Sequence, residues 1–164
     1  MNEHQLIQLI NESIKLEAKV ADLYMLFSEA FPEDCALWYQ LHMEEKNHAS
    51  IIQSAREAWL SGKEFPLEIL FPNVDELVAL NTKVGALLEE YNENPPSREN
   101  AFNVALDLEK SAGEVHFQDA MDKSPSSTLM EVFQLLIGDE KKHASRIRKY
   151  MRDKGIKLRS HLAK

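Results

Sequence analysis

Apolar residues recur along this chain at intervals of three and four, the spacing that gathers them on one side of an α-helix. From residue 3 to about residue 30, Ile10, Ile14, Val20, Ala21, Tyr24 and Phe27 share such a face, and the pattern stops at Phe31-Pro32. A second segment starts near Glu33 and carries Trp38, Leu41, Ile52, Ala55 and Trp59 up to Ser61-Gly62. An apolar, proline-bounded strap, FPLEILFPN, follows. Asn73 then caps a further helix, with Glu76 placed to complete a capping box and a stripe of Leu77, Leu80, Val84, Leu87 and Tyr91. NENPPS breaks the chain, after which Ser97 caps a third long helix bearing Phe102, Ala105, Ala112 and Phe117. At KSPSS a fourth begins, with Ser124 at the cap and Pro125 at the first helical position. Leu129, Phe133, Leu136, Ile147 and Tyr150 line it as far as Gly155.

The connections between the four long helices run short, long, short. Two antiparallel pairs joined by a crossover give the up-down-down-up arrangement of ferritin-like four-helix bundles, although an open helical array fits the periodicity nearly as well. The expected fold is therefore all-α: a ferritin-like bundle over residues 1–155, a long crossover carrying a short extra helix, and a basic tail over 156–164.

Composition agrees with helices, since five Gly and six Pro in 164 residues are too few for the many turns of an all-β chain. The net charge of −8 argues against nucleic acid as a partner. From Arg146 onward, Arg148, Lys149, Arg152, Lys154, Lys157, Arg159 and Lys164 stand with it against Asp153 alone. The simplest reading is cations favoured at a helix C-terminus, running into a solvated end. No export signal and no run of eighteen apolar residues is visible, so a soluble, cytoplasmic protein without a membrane partner is expected. Cys35 stands alone, which excludes an internal disulfide and any cysteine-built metal site, and it reads as a small, semi-buried apolar residue.

Candidate chemistry lies in a repeated phrase. EEKNHAS spans Glu44–Ser50, and DEKKHAS spans Asp139–Ser145. Residues three apart on a helix share a face, so Glu45 pairs with His48 and Glu140 with His143, and both pairs continue apolar stripes. Glu17 sits seven residues from both Ile10 and Tyr24, and Glu109 seven from both Phe102 and His116, so all four long helices carry a carboxylate on the inner face. Buried together, four carboxylates repel unless protonated or neutralised. Two divalent cations supply that neutralisation, and neutral imidazoles complete the coordination. Carboxylate and imidazole donors without thiolate suit iron or manganese. Glu17 to Glu45 is 28 positions and Glu109 to Glu140 is 31, as in a duplicated helical hairpin. A single Glu-x-x-His is a weak signal, usually a solvated surface pair. In a metal-free helical interaction scaffold, the same buried residues would have to pair with one another.

LEAKVADLY, WYQLHMEEKNHAS, LDLEKSAGEVHF and LLIGDEKKHAS together resemble the four helices of the rubrerythrin family, within the ferritin-like superfamily, over roughly the whole chain. The resemblance implies a non-haem di-iron oxidoreductase that reduces hydrogen peroxide, or handles dioxygen, in oxidative stress. By this likeness Glu17, Glu45, Glu109 and Glu140 are carboxylate ligands, two of them bridging, and His48 and His143 are nitrogen ligands. Ferroxidase activity in iron storage or delivery would use the same ligands. Two departures stand out. Ala112 occupies the place where the family carries a further Glu linked to redox-dependent ligand exchange. The rubredoxin module with its Cys-x-x-Cys pairs is missing, so an external electron donor such as a rubredoxin is expected.

Tyr24 is the candidate for hydrogen-bonding a ligand carboxylate or donating a proton, and His116 for an extra ligand or a partner of one. His42 falls at the edge of the stripe, and His4 and His161 read as solvated. A homo-oligomer, with a dimer favoured, is expected from the habit of such bundles to pair through helix faces.

Overall fold

The computed structural model describes residues 2–137 and 142–162, and among the described residues every regular element is helical. Helix α1, Glu3–Ala30, opens on a complete capping box: Asn2 Oδ1 accepts from the Gln5 N–H, and Gln5 Oε1 accepts from the Asn2 N–H. A 3₁₀ turn, Pro32–Asp34, leads into α2, Cys35–Leu60, which ends where Gly62 takes a φ of 88° that residues with a Cβ rarely adopt. The crossover helix α3, Val74–Glu93, has 20 residues, so the extra helix is not short. Its capping box is half formed: Asn73 accepts from the Glu76 N–H, but the Glu76 carboxylate accepts from Asn73 Nδ2 at 2.6 Å instead of from the backbone.

The third long helix is divided, and the fourth is described in two stretches. Helix α4, Arg98–Glu109, capped by Ser97 as expected, stops at Lys110, and α5, Ala112–Asp122, starts after Ser111. Ser111 has the extended backbone of an N-cap residue (φ −64°, ψ 154°), and Gly113 just beyond it weakens helix propensity. Helix α6, Thr128–Ile137, begins later than the Ser124-Pro125 signal suggests, because Ser127 Oγ accepts from the Met130 N–H and leaves Pro125 in the loop. Helix α7, His143–Asp153, completes the chain's regular helices.

Helix α1 lies along both α2 and α3, α4 packs on α7, and α5 packs on α6 and on the strap's 3₁₀ turn Leu67–Ile69. At the centre, Trp38 is fully buried, with ring centroids 4.5 Å from Phe102, 5.1 Å from Phe27 and 5.7 Å from Tyr24. Such offset and edge-on aromatic contacts add to the area that each ring buries. Helix α6 buries Met130 and Phe133, whereas Leu136, expected on the inner face, is 60% exposed. Cys35 is exposed. In the basic tail Lys157 and Arg159 are exposed, but the segment is anchored. Asn103 Oδ1 accepts from the Arg159 N–H, Asn103 Nδ2 donates to the Lys157 carbonyl, and Leu162 is buried. No helix among the described residues is long and apolar enough to cross a membrane.

Asp34, almost wholly buried at the α1–α2 turn, ties three elements together. Arg98 at the start of α4 donates from Nε and Nη2 to its two oxygens, each at 2.7 Å, and Tyr150 of α7 donates to Oδ1 at 2.9 Å. Burial alone would raise the Asp34 carboxyl, but these bonds and the Arg98 charge outweigh it and hold the pKa below the ordinary aspartate value. A depressed folded pKa stabilises above the unfolded value and is lost as pH falls through the folded one. Asp34→Asn is expected to destabilise the fold by about 2–3 kcal/mol in urea titration at pH 7, and the difference from the parent chain should shrink below pH 4. An unchanged urea midpoint at pH 7 would refute the clamp.

Candidate metal centre

Four helices deliver five of the six expected ligands to one place. Glu17 stands near the middle of α1, Glu45 and His48 lie one turn apart on α2, Glu109 is the last residue of α4, and His143 is the first of α7. All five are buried, from 8% exposure at Glu17 to 0% at both histidines. Glu140 lies outside the described residues.

The donor atoms form two groups that share Glu45. Glu17, Glu45 and His48 each offer one atom within 4.8 Å of the others, and so do Glu45, Glu109 and His143. In the first, His48 Nδ1 is 3.1 Å from Glu45 Oε2 and 3.6 Å from Glu17 Oε2. In the second, His143 Nδ1 is 2.8 Å from Glu45 Oε1 and 3.4 Å from Glu109 Oε2. The two imidazoles stack, with centroids 5.3 Å apart and planes within 10°. Yet Glu45 Oε1, Glu109 Oε2 and His143 Nδ1 make no well-directed hydrogen bond, although all three are sealed from water. Buried polar atoms are normally satisfied, so donors that crowd a common space without bonding one another fit a cation between them. Glu17, Glu45 and His48 can hold one ion and Glu45, Glu109 and His143 a second, with Glu45 between them.

Tyr24 reaches the cluster: its hydroxyl donates to Glu109 Oε1 at 2.5 Å, leaving Oε2 on the His143 side. That bond orients a carboxylate, so Tyr24 is a positioning residue. His116 belongs to neither donor group and stands edge-on to Phe71. His42 is buried, donating Nδ1–H to the Ala21 carbonyl at 2.8 Å. His4 is exposed, while His161, also exposed, is held 2.9 Å from Asp107 Oδ1.

Glu44 is the residue that the sequence reading passes over. It is 5% exposed, its Oε2 lies 3.0 Å from His143 Nε2, and Arg146 forks onto both of its oxygens, with Nη1 to Oε1 at 2.8 Å. Gln40 Nε2 adds a bond of 2.9 Å to Oε1. Arg146 is thus no solvated tail cation: it holds Glu44, whose carboxylate stands beside His143 Nε2, although that nitrogen, like Nδ1, makes no well-directed hydrogen bond. A signal was present: each repeat places an acid immediately before its Glu-x-x-His, and Arg146 follows His143 by one helical turn.

In the metal-free cluster, protons serve as the cations. Burial pushes Glu17 up to about 7, against the hydrogen bond from His48. Burial works to lower His48 and His143, but the Glu45 carboxylate at the first and the Glu109 and Glu45 carboxylates at the second outweigh it and raise both well above the ordinary histidine value. Burial would raise Glu45, but the two imidazoles hold it far below the usual range. Glu44 falls to about 2, because His143 and Arg146 overcome its burial.

The signs give a pH test. Raised histidines stabilise fully below about 6.5, and that stability is lost as pH climbs through their folded values. Glu17, raised from 4.5 to about 7, acts in the same direction, because the folded state holds its proton over a range where the unfolded state has released it. Chelator-treated protein should therefore lose about 5 °C or more of thermal midpoint between pH 6 and 9, while metal-saturated protein should not, since binding displaces those protons and strengthens with pH. Parallel curves with and without metal, followed by circular dichroism, would contradict the assignment.

Set against protein-family models, curated proteins and solved structures, the chain matches none of them.

Proposed function

We propose that this protein is a ferritin-like di-iron oxidoreductase of the rubrerythrin type, reducing hydrogen peroxide with electrons from an external donor. The observation that carries the reading is the pair of buried donor groups sharing Glu45, built from helices that are distant in sequence. Three carboxylates and two imidazoles, with no thiolate among them, favour iron or manganese over softer metals. Held by Glu17, Glu45, His48, Glu109 and His143, two ferrous ions would supply the two electrons that, with two protons, turn hydrogen peroxide into two waters.

The chain's own residues supply the rest. Trp38, Phe102 and Phe27 pack behind Tyr24 and exclude water from that side of the cluster. Tyr24 holds its phenolic proton against Glu109 Oε1, within reach of a ligand oxygen. Glu44, clamped by Arg146, sets a negative charge beside the outer nitrogen of His143, whose Nδ1 faces Glu45 and Glu109. Phe117, 4.7 Å from His48, packs against the other imidazole.

Anaerobic titration with Fe(II) is expected to saturate at two ions per chain, and oxidation should then run faster with peroxide than with air. Faster oxidation by air would point instead to a ferroxidase, and no stoichiometric uptake would overturn the metal reading. Glu45→Ala should abolish uptake at both positions, because both groups use it. Tyr24→Phe should keep two irons per chain and slow the peroxide reaction by roughly tenfold.

A further inference from the structure

Two small cavities border Glu17. One, of about 10 Å³, lies under the strap among Ile52, Ile69, Phe71 and Phe117. It touches no other ligand of the cluster. The second, of about 20 Å³, is lined by both Glu17 and Glu109, with Leu16, Val20 and Leu108 beside them and Leu80 and Ser111 completing the wall. Burial gives it a direction. The first five are buried, whereas Leu80, on the crossover helix α3, and Ser111, at the break between α4 and α5, are only partly so. The cavity therefore runs from an outer edge formed by Leu80 and Ser111 to two carboxylates of the cluster.

Its size is selective. One water-sized molecule needs about 10–15 Å³ of such space, so the cavity admits a single small molecule and has no room for a branched alkyl group. Its walls are aliphatic apart from the two carboxylates and the Ser111 hydroxyl, so little in it would hold a charged or bulky solute. Ser111 occupies the N-cap position of α5 but its hydroxyl makes no capping bond. Had α4 and α5 been one continuous helix, residue 111 would have had helical backbone, and this wall would have been shaped differently.

We propose that this cavity is the passage by which the oxidant reaches the cluster, and that Leu80 sets the upper size limit, admitting hydrogen peroxide and dioxygen and rejecting branched organic hydroperoxides. The inference rests on the di-metal reading above. It also gives the crossover helix a task, since α3 supplies the outer edge of the passage and no ligand.

The test uses the full chain and its Leu80→Ala, Leu80→Trp and Ser111→Leu variants, none of which alters a ligand. Iron stoichiometry is measured first. Reaction of the ferrous protein with hydrogen peroxide and with tert-butyl hydroperoxide follows, and then the rate at which nitric oxide, a small neutral molecule, perturbs the optical spectrum of the ferrous protein. The parent chain should prefer hydrogen peroxide by roughly a hundredfold, and Leu80→Ala should narrow that preference by about tenfold. Leu80→Trp and Ser111→Leu should slow both peroxide and nitric oxide by about tenfold at unchanged iron content. Two irons per chain with rates and preference unaltered in all three variants would overturn the passage and leave the metal centre standing. Failure of the parent chain to bind iron stoichiometrically would overturn both.

Discussion

Three carboxylates, Glu17, Glu45 and Glu109, lie sealed inside this protein close enough to repel one another, and the rest of the structure answers to that constraint. Like charges at such separations and in so little water are tolerated only beside compensating positive charge. His48 and His143 provide it when protonated, each within 3.1 Å of a Glu45 oxygen. Divalent ions would provide it better, because they bring more charge per site and take up the donor atoms that bond to nothing else. The same five side chains that hold protons in the metal-free cluster could therefore hold cations instead, and binding there would be coupled to folding.

A buried charge cluster also has to be held in register by elements that do not carry it. Two arginines do this at different depths. Arg98 grips Asp34 and so docks α4 on the α1–α2 turn, while Tyr150 brings α7 to the same carboxylate. Arg146 grips Glu44, joining α7 to α2 beside His143. Both pairings are bidentate and charge-assisted, the geometry in which an ion pair supplies orientation as well as energy. The anchored tail adds a third hold on α4 through Asn103. Glu109 and His143, at the end of α4 and the start of α7, therefore meet on helices fastened at several points along their length.

Much of this was legible before any coordinates. The periodicity of α1 and α2 placed their ends within two residues, because each is long, strongly amphipathic and punctuated by Pro32 or Gly62. The five described candidate ligands fall where a carboxylate or histidine interrupts an apolar stripe at helical spacing. The divisions of the later helices were harder to see. Ser111 makes no capping bond with its side chain, and Ser127 is one of three serines beside Pro125 that could have capped α6. Leu136 has the right spacing for the core and is exposed, while Met130 and Phe133 fill the buried face of α6.

What the sequence by itself determined is the local part: which stretches are helical, which faces are apolar, and which acids and imidazoles those faces carry. These follow from interactions between residues three or four apart, so they are written in the order of the chain. Only the tertiary structure decided that Glu45 lies between two donor groups, that Glu44 and Arg146 back His143 across 102 positions, and that a narrow cavity runs from Leu80 and Ser111 to Glu17 and Glu109. Those relations depend on the angles and distances at which separate helices meet. The packing of the whole core sets them, and no periodicity within a single helix records it.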